Sequence, residues 1–412
     1  MSDQEHRMAT VHAGAYPPVE VAPILAYGFR PFFILLPAYM AMSMLLWGLL
    51  WSGLLPLPFP GNPLLWHVYE MVYGMASAGI AGFILTAVPE FYPGVRPVIG
   101  RQLALLVLWW LLGRVLFWLV DPVGVLPAAL VNVSFLLWVL LLVARPILSD
   151  PLRRHSGLAV ILVILVLIEV WFFLALGGWT EADPMAVLKV ALGGLMVLEL
   201  LVLRRVNTGV VNEWLEEKRI DALFLARPPR YNVAILCVSL YTVAEYLAPS
   251  NPVLGWLGLA AAAAVLNALN DFFLEEETIV FEPWVFSLFL ILVVMALGYG
   301  ALGIDHLLPE VYGINHFRHL LTAGVLGLSF LMVMVIVATV HTGRPLRPDG
   351  WIALCIVLLL VATSLRVAII WFPQHALWLY TASAAIWAAP FIIYLWRFVP
   401  WLLRPRVDGL PG

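Results

Sequence analysis

Residues 319–346 read HLLTAGVLGLSFLMVMVIVATVHTGRPL, and this stretch decides the fold. Positions 320–340 carry no charge, a length that matches the roughly 20 apolar residues a membrane-spanning helix needs. At 1.5 Å rise per residue, His319 and His341 stand about 33 Å apart on one helix. They therefore mark opposite membrane boundaries and cannot bind the same metal ion.

The rest of the chain repeats this pattern. Of its 412 residues, 63% are hydrophobic and only 11% charged, with a mean hydropathy of +0.98. Too few polar side chains remain to cover a soluble globule of this size. Twelve segments are long and apolar enough to span: 31–55, 66–88, 101–121, 124–144, 157–178, 184–203, 232–248, 253–270, 283–303, 319–341, 351–372 and 376–402. A strand barrel is excluded because its spans alternate over about 10 residues, whereas these runs are continuously apolar. The fold class is an all-α polytopic membrane protein, since helices satisfy their own backbone inside lipid. Its first partner is the lipid bilayer.

Several other classes fall away. The two cysteines, Cys237 and Cys355, both lie within spans, so neither a disulfide framework nor a thiolate cluster is expected. The first 30 residues have no apolar core of the cleavable-signal kind, so the first span serves as its own insertion signal. No basic tail or patch points to nucleic acid.

Alternate loops of a twelve-span chain lie on opposite sides, and the basic residues segregate accordingly. Seventeen of the 22 Lys and Arg residues fall on the side of both termini, among them Arg7, Arg30, Arg204, Arg205, Arg344, Arg347, Arg404 and Arg406. Positive charge marks the cytoplasmic side, so both termini are expected there. The exception is the acidic loop NDFFLEEETIVFEP, 270–283, which carries neither Lys nor Arg. The organisation that follows is a tail, 1–30, a membrane domain, 31–403, and a second tail, 404–412. The domain's halves, 31–203 and 232–403, are joined by a cytoplasmic loop, 204–231, in which a short amphipathic helix closed by Pro228 and Pro229 is expected.

This sidedness sorts the nine histidines. His67, His306, His316, His319 and His375 lie at the outer boundary; His155 and His341 lie at the inner one, and His6 and His12 in the tail. Imidazole is a common ligand of copper and haem iron. In WHVYEM, 66–71, the residues His67, Glu70, Met71 and Gly74 follow helical spacing and should share a face. His67 and His319 sit at one depth on different helices and are placed to share a metal; His316 is one turn before His319. A solvated histidine at a helix end is the plainer reading of each taken singly. Trp66, Tyr69 and Tyr73 likewise suit an interfacial aromatic belt. Arg114, Glu169, Lys189 and Glu199 lie inside spans, where ionisable groups normally face a partner or a pathway.

Together YGFRPFF (27–33), WHVYEM (66–71), AGFILTAVP (81–89), the stretch 319–346 and RVDGLPG (406–412) resemble the NnrS family of bacterial inner-membrane proteins. The resemblance implies a twelve-helix protein that carries haem and copper and takes part in the response to nitric oxide. The family's first motif reads W-H-x-H-E-M, matched here by Trp66, His67, Glu70 and Met71, with Tyr69 at the second histidine. The resemblance thus points to His67, Tyr69, Glu70 and His319 as metal ligands. His67, His316, His319, His341 and Arg344 become the cofactor-binding set, with Arg344 suited to a haem propionate. A transporter or permease lined by the four intramembrane charges is the competing class, and an assembly partner for another membrane complex the third.

Overall fold

The computed structural model describes residues 16–17, 20–53, 61–92, 94–274, 279–308, 313–347 and 349–412. The tail residues Asp3, Glu5, His6, Arg7 and His12, and Glu275, Glu276 and Glu277 of the acidic loop, lie outside them. Among the described residues the chain is helical and without strands. Eleven helices among them are long and apolar enough to cross a membrane. We number them in chain order: α1 (Phe29–Ser52), α2 (Pro63–Phe91), α3 (Gly100–Trp118), α4 (Val125–Leu148), α5 (Ser156–Leu176), α6 (Pro184–Glu217), α8 (Val253–Phe272), α9 (Pro283–Leu307), α10 (Asn315–Val340), α11 (Gly350–Ala368) and α12 (Pro373–Leu402). The expected seventh span is also a helix, α7 (Pro228–Leu247), but it is not among the eleven.

Local chemistry sets the starts. Pro63, Pro184, Pro228 and Pro283 each occupy a first helical turn, where the missing N–H removes nothing from the ladder. The Asn62 side chain accepts from Leu65 N at 3.0 Å and caps α2. Asp183 caps α6 the same way, accepting from Met185 N and Ala186 N.

Between α6 and α7 the sequence expectation is corrected. No separate amphipathic helix forms; α6 runs unbroken to Glu217, and Pro228 opens α7 instead of closing a helix before it. The cause is visible in Asn207, Val210, Val211 and Leu215, all buried. Their spacing extends the buried face of α6 past the charges Arg204 and Arg205.

Helices adjacent in sequence mostly pack side by side, and α12 returns to lie along α1. Arg30, fully buried, fastens that closure by donating to the carbonyls of Leu402, Arg404 and Gly412 at 2.9, 2.8 and 2.7 Å. These include carbonyls of a helix end that has no partners of its own. The two innermost helices are α2, with 83% of its apolar window buried, and α10, with 67%. They approach closely because Gly79 leaves room: a Cβ there would stand 2.7 Å from the Phe330 ring of α10.

Candidate metal centre

The two innermost helices share an irregularity. Each contains a π-helical stretch, Glu70–Gly74 in α2 and Leu320–Leu326 in α10. In α2 the Met75 N–H reaches back to the Glu70 carbonyl. Such wider turns occur mostly at functional sites because they re-aim the side chains around them. The Trp110 indole N–H bonds to the Gly74 carbonyl at 3.1 Å, and that of Trp387 to the Ala323 carbonyl at 3.0 Å. A tryptophan thus braces each π turn. Each is also flanked by an ion pair buried in the bundle, Glu70 with Arg114 and Glu245 with Arg318.

His67 precedes the first π turn and His319 the second, and both line the same space. It consists of two adjoining cavities of about 50 and 30 Å³, both of which include His67, His319, Met44, Ala323 and Trp387 on their walls. Met40, Met71 and Met75 also line the larger one, so four methionines share its wall with the two histidines. The His67 ring stacks flat on Trp47, with centroids 4.2 Å apart and planes 2° from parallel, and its Nδ1 is buried without a hydrogen bond. His319 Nδ1 lies 2.9 Å from the Asn315 carbonyl. A carbonyl only accepts, so Nδ1 carries the proton and Nε2 keeps the lone pair. Arg366 of α11 forms part of the smaller cavity's wall and brings the one cation there.

The remaining sequence candidates lie elsewhere. Tyr69 turns toward α5 and donates to Glu169 Oε1 at 2.9 Å, its ring packed on Phe117 and Phe172. Glu70 pairs with Arg114 of α3, which also bonds Asn132 of α4. The face expected to join His67, Glu70, Met71 and Gly74 is therefore split. Met71 follows His67 into the cavity, while a Cβ on Gly74 would collide with the Glu70–Arg114 pair. His316, on the first turn of α10, accepts from Arg366 at 2.6 Å. His306 meets the Tyr241 hydroxyl at 3.3 Å, and His375 is exposed.

At the far end of α10, His341 Nδ1 is 3.0 Å from Glu90 Oε1 and its ring stacks on Tyr27. Arg344 lies over the Trp401 ring at 4.3 Å. Burial, then the neighbouring Arg404, lowers the Arg344 pKa. The four intramembrane charges read as a pathway line none of the cavities described here. Two of them are instead engaged, Arg114 with Glu70 and Glu169 with Tyr69.

Among the described residues no three His, Cys, Asp or Glu side chains are grouped for one metal ion. Beside His67 and His319, the soft donors on the cavity walls are the methionine thioethers. That mixture of imidazole and thioether suits copper(I), a soft ion, and the unpartnered Nδ1 of His67 is the kind of atom a metal ion would satisfy. Haem does not fit. Pockets for organic ligands run to about 300–1,000 Å³, far above the volume beside His67. A larger cavity, at the Arg344 end, has no His, Met, Cys or Tyr on its wall to ligate iron.

Met40, Met44 and Met75 are the residues the sequence reading missed. Met40 and Met44 are one turn apart on α1, and His67, Met71 and Met75 repeat every fourth residue on α2. That two-helix stripe was the available signal. A family model described as NnrS protein matches residues 23–406. No curated protein matches the chain.

Proposed function

The chain belongs to the NnrS family, and on that footing we propose that it is an inner-membrane protein holding copper(I) between His67 and His319, near the outer face, for the response to nitric oxide. One observation carries this reading. Two histidines from different helices, each beside a π turn, line one cavity with four methionines. When bound, copper(I) would supply an open coordination position that a small gas can occupy.

The chain's own residues prepare that position. The Trp47 ring holds the His67 imidazole plane, and the Asn315 carbonyl selects the His319 tautomer with a free Nε2. The thioethers of Met40, Met44, Met71 and Met75 exclude water and favour the reduced ion. Arg366 adds a positive charge on the wall beside both imidazoles. The bundle around the cavity is apolar, the medium into which nitric oxide partitions.

Titration of the purified protein with copper(I) against a chromophoric chelator tests the reading. Wild type should take up one ion, and His67→Ala or His319→Ala should weaken uptake by more than about tenfold. Wild type that takes up no copper, or variants that bind as it does, would overturn the assignment.

A further inference from the structure

A cavity of about 360 Å³ opens at the opposite end of the bundle from His67, between the end of α10, the start of α11 and the end of α12. Three arginines line it, Arg344, Arg347 and Arg397, against a single carboxylate, Asp349. That carboxylate already accepts from the Trp351 indole at 3.1 Å. Arg344 lies over Trp401 at 4.3 Å and Arg397 over Trp351 at 5.2 Å. Indole rings thus neighbour both guanidiniums within cation–π range. Arg344 spends one N–H on the Thr342 carbonyl at 3.2 Å. Arg397 Nε is buried and makes no hydrogen bond, an expensive state for a charged donor.

From this arrangement we infer that the cavity binds a phosphate group. Guanidinium forks match phosphate oxygens two at a time, and three arginines facing one acid call for a ligand with more than one negative charge or several acceptor oxygens. The cavity has room for such a group and part of what carries it. It sits at the level where helices end, the depth of the polar headgroups, with Trp284 as a third indole on its wall. The phosphate can come from an anionic phospholipid or from a free phosphate ester, since both offer the same oxygens. This site is separate from the His67–His319 cavity and does not depend on copper binding there.

Thermal unfolding of the full chain in detergent separates the outcomes. Added phosphatidylglycerol, phosphatidylcholine or inorganic phosphate at matched ionic strength is compared for wild type, Arg397→Gln and the exposed-side variant Arg347→Gln. A lipid-borne ligand gives saturable stabilisation by phosphatidylglycerol above that by phosphatidylcholine, and each variant weakens its half-saturation by about tenfold, as loss of a charged hydrogen bond should. A soluble ligand gives the same pattern with inorganic phosphate. No saturable effect in wild type from either source, or equal half-saturation in wild type and a folded variant, overturns the proposal. If Arg397→Gln does not fold, Arg347→Gln alone decides.

Discussion

Glu70 and Arg114 form an ion pair fully inside the bundle, one helical turn from His67, with Glu70 wholly buried and Arg114 nearly so. The pair fastens α2 to α3 beside the π turn, and Gly74 leaves the space it crosses.

Glu70→Gln leaves the Arg114 charge buried without its counter-ion, a change that lowers stability by about 3–5 kcal/mol. Adding Arg114→Met should recover much of the loss. The midpoint of thermal unfolding in detergent measures both. Because Glu70 faces away from the cavity, any Glu70→Gln protein that folds should bind copper(I) like wild type; a folded variant that loses the metal would show that Glu70 is a ligand after all.

Tyr69→His restores the family's W-H-x-H-E-M pattern, yet it should not add a ligand. Position 69 points at Glu169 and the Phe117 and Phe172 rings rather than at His319. The expected result is unchanged copper stoichiometry with a stability loss of about 1–3 kcal/mol from the broken hydrogen bond and repacking. A second equivalent of copper, removed by His67→Ala, would contradict the placement.

His155, in the turn before α5, stacks on Phe91 with centroids 4.2 Å apart. Burial first, and then Arg205 and Arg154, hold its pKa down at about 4. In the unfolded chain the imidazole titrates near 6.5, so between these values the unfolded state binds the extra proton. Its stabilising contribution is intact above about pH 6.5 and is lost as pH falls toward about 4. The unfolding midpoint of wild type should therefore drop more between pH 7.5 and pH 4.5 than that of His155→Gln. Parallel pH profiles would refute this.

The helices were legible because every span must close its own hydrogen bonds inside lipid. The segment read as 376–402 matches the α-helical part of α12, Ala376–Leu402, which a 3-10 turn at Pro373–His375 precedes, for that reason. The overrun of α6 was not legible, since Arg204, Arg205 and Lys218 look like loop charges until the buried Asn207, Val210 and Leu215 are seen. The pairing of His67 with His319 followed from their equal depth alone. The departure of Tyr69 and Glu70 did not, because a five-residue π turn and the partners Arg114 and Glu169 come from tertiary packing. Methionine is also the usual filler of irregular core gaps, so Met40, Met44 and Met75 drew no notice beside the apolar residues around them.

The central claim concerns what surrounds the metal, and X-ray absorption at the copper edge of the copper(I)-loaded protein reads that directly. Imidazole nitrogen and thioether sulfur should appear together in the first shell, with the nitrogen contribution lost in the His67→Ala, His319→Ala double variant and sulfur reduced in Met71→Leu, Met75→Leu. A first shell without sulfur, or a Soret band that vanishes in His67→Ala, would contradict the account.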